Sequence, residues 1–217
     1  MPSVNVEGFT FYLATAGMFA GIDPINHIVG SGSLRLHRNA IAARFITGEP
    51  TNAPKGFTSG TMRALYRPVT PVSNDWVGMC FQKSTADLTA GAGQAYGAGL
   101  VVSGSFANLE ICKFTAGLGT RSAIVSSSPG LAFNSGSTIS LSITWLLDIV
   151  RLGGLRITLS QGTATDFSSM TQVLDTVVTT SILLTSVGEG PALSLVSTAS
   201  AGDYLWDQTD AVPLIVA

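Results

Sequence analysis

Charge is scarce in this chain. Asp, Glu, Lys and Arg make up 11% of its 217 residues, under half of the roughly 25% usual in soluble domains. The 11 basic and 13 acidic residues leave a net charge of −2, which excludes a strong generic polyanion binder, since such proteins carry a basic excess or stripe. There are two cysteines, too few for a disulfide framework. Two histidines, His27 and His37, and no Gly-x-Ser-x-Gly elbow leave no nucleophile triad in view. There is no Cys-x-x-Cys, no His-x-His and no EF-hand loop, so no metal site and no cofactor is expected. No basic residue precedes Arg35, so the positive start of a secretory signal is missing. The apolar stretch Phe9–Ala20 is too short to span a membrane and contains Thr and Gly.

Hydroxyls and glycine fill the space that charge leaves. Ser and Thr together number 47, and there are 24 Gly. At 46% hydrophobic residues the composition is not that of a disordered chain. The length fits one domain able to bury a large core. Charge is uneven along it. Arg35–Arg121 holds nine basic residues against four acids, whereas beyond Arg156 there is no Lys or Arg. Two readings stand: complementary ends that meet in an assembly, or loop charges that cancel within the domain.

Alternation with period two dominates. In 138–150, Ile139, Leu141, Ile143, Trp145, Leu147 and Ile149 fall on one face, and Ser140, Ser142, Thr144, Leu146, Asp148 and Val150 on the other. That is a long strand with one buried side. A Gly153-Gly154 turn and the alternating Leu155, Ile157 and Leu159 complete a hairpin. Further strands are expected at 32–37, 40–46, 60–69 (stopped by Pro68 and Pro71), 76–83, 98–102, 109–114, 122–126, 181–187, 192–196 and 203–216. Helical spacing of Phe167, Met170, Val173, Leu174 and Val177, with Asp166 as cap, predicts one short helix or turn. The fold expected is all-β, a two-sheet antiparallel jelly-roll sandwich over 31–217 with at most one short helix. Residues 1–30 form either its first strand or an apolar arm that docks on a neighbour. Cys80 and Cys112 lie in strands, as buried free thiols or as a cross-strand pair.

The segments GSGSLRLHRNA (30–40), GTMRALYRPV with DWVGMCFQK (60–83), AGLVVSGSFANLEICKF (98–114), STISLSITWLLDIVRLGGLRITLSQG (137–162) and DYLWDQ (203–208) resemble the concanavalin A-like lectin/glucanase sandwich in its laminin-G-like form. The resemblance implies a glycan binder, a glucanase or a structural module. The glucanase branch needs two carboxylates about 5–5.5 Å apart, placed in that family as Glu-x-Asp-x-x-Glu. Glu7, Glu49, Glu110 and Glu189 are all isolated, so no catalytic residue is named and no enzyme is expected. Asp203, Asp207 and Asp210 could hold calcium, as in some relatives, or serve as solvated loop acids. For a glycan platform, Trp76 and Trp206 are the candidate contacts, while Trp145 belongs to the core.

Low charge, a hydroxyl-rich surface and the missing export signal point to a non-enzymatic bacteriophage virion protein. It would be a capsid decoration (cement) or tail-associated component, made in the host cytoplasm and stabilising the particle through subunit contacts. Its partners would be other virion proteins and further copies in a homo-oligomer, with no nucleic acid and no membrane. The alternative is a carbohydrate-binding, lectin-like module that adsorbs to host glycans.

Overall fold

The structure, a computed structural model, describes residues 3–6, 8–13, 18–38, 44–51, 55–56, 58–127, 130–179, 188–197 and 202–214. Among them, sixteen strands run in the order β1 (Ser3–Val6), β2 (Phe9–Leu13), β3 (Met18–Asp23), β4 (Ser33–Arg38), β5 (Arg44–Pro50), β6 (Gly60–Thr70), β7 (Trp76–Phe81), β8 (Ala95–Ser103), β9 (Phe106–Phe114), β10 (Arg121–Ser126), β11 (Leu131–Ala132), β12 (Ile139–Asp148), β13 (Gly154–Gly162), β14 (Thr171–Val178), β15 (Ala192–Ser197) and β16 (Asp203–Pro213). Two 3-10 turns, Leu88–Ala90 and Leu118–Thr120, are the only helical pieces among the described residues. The strands form two antiparallel sheets. Sheet A runs β1-β2-β5-β15-β7-β8-β9-β10, with β11 on the far end of β9; sheet B runs β14-β13-β12-β6-β16-β4-β3. The fold is the expected jelly-roll sandwich.

Its core follows from the alternation. Ile139, Leu141, Ile143 and Trp145 of β12 meet Met62, Ala64 and Tyr66 of β6, and Val77, Met79 and Phe81 of β7 close on them from sheet A. Phe81 stacks on Trp145 with ring centroids 4.8 Å apart. Each large apolar side chain buried here contributes about 1.5–3 kcal/mol. The opposite face of β12 carries the hydroxyls of Ser140, Ser142 and Thr144, and Thr144 Oγ1 meets Thr61 Oγ1 at 3.0 Å.

Three expectations need correction, and the buried free state of the two thiols is borne out. Residues 167–178 hold no helix: Asp166 Oδ1 accepts from Ser168 N in a turn, and β14 starts at Thr171 with Leu174 and Val178 facing the core. The β-branched Thr and Val residues there favour the pleated backbone. The β12–β13 hairpin is closed by five residues, 149–153, rather than by a Gly-Gly pair, because Asp148 already pairs with Gly154. Arg151 N donates to Asp148 Oδ1 and Leu152 N to Asp148 O, while Gly153 supplies the positive φ. Pro68 does not stop its strand. It sits inside β6 at a register shift, beyond the point where β12 pairing ends at Tyr66, so no partner on that side needs its missing N–H. Cys80 and Cys112 both pair with Gly97 on the intervening β8, two strands apart, and are free buried thiols. The strand expected at 181–187 lies outside the described residues.

A second apolar cluster covers the outer face of sheet A. Trp76, Cys80, Ala95, Cys112, Phe114 and Val196 point away from the main core and are capped by Leu88 and Leu118 from the two 3-10 turns. Gly78 and Gly97 make room for the Trp76 indole, since a Cβ on either would come within 3.0 Å of that ring.

Candidate functional site: two clefts on either side of a pinned loop

The outer face of sheet B is polar, and its ions are mostly spent on one another. Arg35 on β4 lies between Asp23 and Asp203: its Nη1 donates to Asp23 at 2.9 Å, its Nε donates to Asp203 at 2.8 Å, and its Nη2 donates to Asp203 as well. Arg63 pairs with Asp210, and Arg156 with Asp175 at 2.6 Å. Asp207 accepts from Ser33 Oγ at 2.7 Å and Val29 N at 3.0 Å. Asp203, Asp207 and Asp210 therefore each serve different partners along β16 and are neither a cluster nor a solvated loop. Among the described residues no group of three or more His, Cys, Asp or Glu could hold a metal.

Two loops shape the end of this sheet where β6 and β16 meet the start of β12. The first follows β3. Asp23 accepts from the backbone N–H groups of Ile25 and Asn26 and from the Asn26 amide. The Asn26 backbone N–H above all, helped by its amide, the Ile25 N–H and the Arg35 guanidinium, holds the Asp23 carboxyl at about 2. Ile28 N donates to Ser33 Oγ. This turn is tied down at several points, yet Ile25 is 83% exposed and Asn26 and His27 are exposed beside it.

The second loop is 133–138. Phe133 is fully buried and stacks on Tyr204 at 6.3 Å, which plants the loop in the core. Asn134 then closes a tight turn: its Oδ1 accepts from Gly136 N at 3.1 Å and from Ser137 Oγ at 3.2 Å, and its carbonyl accepts from Ser137 N. Arg67 on β6 joins the two loops. Its Nε and Nη2 donate to Thr138 Oγ1 at 3.0 and 2.9 Å, and its Nη1 donates to the His27 carbonyl at 2.8 Å.

A cleft opens on each side of the 133–138 loop. The larger, about 430 Å³, lies at the seam between the sheets against Leu131, Ser137, Thr138, Gln161, Thr163 and Thr165. That size is in the range of small-ligand sites. The Gln161 Oε1 atom beside it is buried without a hydrogen-bond partner. The smaller, about 240 Å³, is bounded by Ile25, Asn26, His27, Arg67 and Ser135. Hydroxyls, amides, one guanidinium and a few aliphatic groups make a surface that recognises a polyhydroxylated ligand through directional hydrogen bonds.

The aromatic candidates are elsewhere. Trp76 and Trp206 both have 0% exposure, so neither indole offers a free face to a ligand. Trp76 lies under the second apolar cluster, edge-on to Phe114 at 5.4 Å, and Trp206 packs edge-on to Tyr66 at 5.6 Å. Arg67 and Gln161 went unnoticed in the sequence because nothing local marks them; only the fold shows which arginine lacks an acid.

Sheet A carries a second polar group beneath its covering turns. Lys83 Nζ donates to Glu49 and, at 3.4 Å, to Ala86 O, with the lysine side chain fully buried. Burial pulls the Lys83 pKa down, against the pull of Glu49 in the other direction. Lys55 pairs with Glu189 at 2.6 Å nearby, and Glu110 faces Arg121 at 3.5 Å. Burial raises the Glu110 carboxyl. Each described glutamate is thus committed to a cation, and no two stand together as a catalytic carboxylate pair.

No protein-family model matches this sequence, and no curated protein matches it. Solved structures do match in shape. The alginate lyase Aly36B superposes with a TM-score of 0.58 at 12% identity, covering 91% of this chain and 87% of its own. The exoplasmic/lumenal domain of VIP36, in a Ca²⁺/Man3GlcNAc-bound form, gives 0.58 at 10% identity, covering 97% and 87%. The PL-14 alginate lyase from Aplysia kurodai gives 0.58 at 6% identity, covering 90% and 87%. At such identities the likeness shows the fold alone, and that fold is the concanavalin A-like jelly roll found in lectins and in some glycan-active enzymes.

Proposed function

We propose that this chain is a non-enzymatic carbohydrate-binding sandwich that takes its ligand in the two clefts beside the 133–138 loop. The observation that carries the reading is the pair of open, hydroxyl- and amide-rich clefts on loops anchored from both ends, by Phe133 and by Arg67. A pre-formed polar site loses little conformational entropy on binding. The Man3GlcNAc-bound VIP36 domain among its structural neighbours supports the same reading by fold analogy only. Against an enzyme stands the engagement of every described glutamate in an ion pair. The test is a glycan array followed by calorimetry, with product analysis of the same incubations. Binding without cleavage, weakened by Gln161→Ala or Thr163→Val, supports the reading. Shortened or unsaturated oligosaccharides in the incubation would replace it with an enzyme.

A second reading, a virion protein of the capsid surface or tail acting as a homo-oligomer, draws on exposed apolar side chains at one end of sheet B. Val150 is 95% exposed, Ile149 55%, and Val177 41% on edge strand β14. Such groups favour contact with a neighbour. Association that falls on Val150→Asp, read by sedimentation velocity and by co-sedimentation with particles, supports this setting; a monomer indifferent to particles removes it. The two readings are compatible, since adsorption to host glycans requires a site displayed on a particle.

A further inference from the structure

Among the Arg and Lys residues whose side chains the structure describes, Arg67, Lys113 and Arg151 form no ion pair with a described carboxylate. Of these, Arg67 is the one that lines a cleft. Its neighbours on the sheet show how unusual that is. Arg35, Arg63 and Arg156, on the same outer face, all hold aspartates. Arg67 instead donates once from each of its three nitrogens, and every acceptor is neutral: the Thr138 hydroxyl twice and the His27 carbonyl once. A guanidinium has five N–H bonds. One remains on each terminal nitrogen, the number a carboxylate takes in a two-pronged pair. The neutral contacts fix the plane of the group at the rim between the two clefts without cancelling its charge.

We infer that the ligand of these clefts is an acidic glycan, with a uronate carboxylate received by Arg67. The inference rests on the carbohydrate-binding reading given above and adds the class of sugar. Ser135 and Asn26 line the same cleft as the guanidinium, and their side chains can bond the ring hydroxyls. The exposed Ile25 supplies an aliphatic surface for the C–H face of the sugar. No described carboxylate is among the lining residues of either cleft, and the nearby Asp23 carboxylate is turned onto the Ile25 and Asn26 N–H groups and Arg35.

The test uses the full chain and one matched pair of probes, an oligogalacturonide and its methyl ester, titrated by calorimetry at low and moderate salt. The acid should bind about tenfold or more tighter than the ester, as a charge-assisted pair requires. That preference should shrink with salt. Arg67→Gln should erase the preference, and Arg67→Lys should keep part of it, since the charge survives and the fork does not. Arg151→Gln, in the hairpin at the opposite end of β12, should leave it intact. Near-ultraviolet circular dichroism of Arg67→Lys and Arg67→Gln identifies any loss caused by a misplaced loop. If both probes bind equally and Arg67→Gln changes neither, the acidic class is overturned while the carbohydrate reading stands. If neither these probes nor any glycan on the array binds, both fall together.

Discussion

The Lys83 ammonium donates to the Glu49 carboxylate at a place where the lysine side chain has no solvent exposure at all. The pair bridges β5 and the chain just beyond β7, where the ammonium also reaches the Ala86 carbonyl. Breaking a buried pair by removing one member strands the other, at a cost of about 3–5 kcal/mol. Lys83→Met and Glu49→Gln should each lose stability on that scale in urea denaturation. The double variant Lys83→Met/Glu49→Leu should recover most of it, because the cost lies in the orphaned charge rather than in the lost bond.

The same lysine sets a pH dependence. Burial holds its folded pKa below the ordinary lysine value, so between the two values the unfolded chain binds more protons than the folded one. Stability therefore rises with pH across that window and is lost as pH falls through the depressed value. Lys83→Met should flatten this rise in denaturation curves taken from neutral pH up to about 10.

Asp23 acts at the acid end. Its carboxyl titrates at about 2 in the folded protein, below the ordinary aspartate value. Its stabilisation is fully present above about pH 4 and is lost as pH falls toward 2. Asp23→Asn should remove that acid-side loss and weaken the 24–28 turn, giving faster amide exchange at Ile25 and Asn26.

Gly48 on β5 faces Phe11 so closely that a Cβ there would lie 1.9 Å from the ring. Phe11 is fully buried, so the ring cannot swing away freely. Gly48→Ala should cost about 1–3 kcal/mol by overpacking. Adding Phe11→Leu should return part of that loss, which thermal melts of the single and double variants would resolve.

Neither thiol should react in the native state. Burial pushes Cys80 up to about 12 and Cys112 well above its ordinary value. An alkylating reagent at pH 8 should modify none until denaturant is added, and then both. Trp76→Ala should lower stability by about 3–5 kcal/mol, and any effect on glycan binding would follow from lost folding.

The sandwich was readable from side-chain alternation because each sheet has one face against the core. The strand at 139–148 shows this best, with Ile139, Leu141, Ile143 and Trp145 facing the core as the sequence implied. Alternation failed where two periods coincide. Phe167, Met170, Leu174 and Val177 match a helix, yet Leu174 and Val178 are the ones that reach the interior. It failed again at Trp76, whose strand is buried on both faces, so position in the alternation said nothing about exposure. The clefts were invisible for another reason. Arg67, Ser135 and Asn26 come together only through β6 pairing with β16 and through two separate loops. A cation without an acid is a property of the fold and leaves no mark on its neighbours in sequence.

Trp76 lying over Gly78 and Gly97, roofed by Leu88 and Leu118, gives sheet A an interior on both of its sides. The molecule is in effect three layers deep there, and its two broad sides are unequal. A soluble sugar, a polymer chain or a neighbouring subunit approaching from the roofed side meets turns and capped side chains. One approaching from the other side meets a sheet with its hydroxyls and arginines displayed. Orientation is thus built into the domain: anchored by its roofed side, it would hold its open side outward.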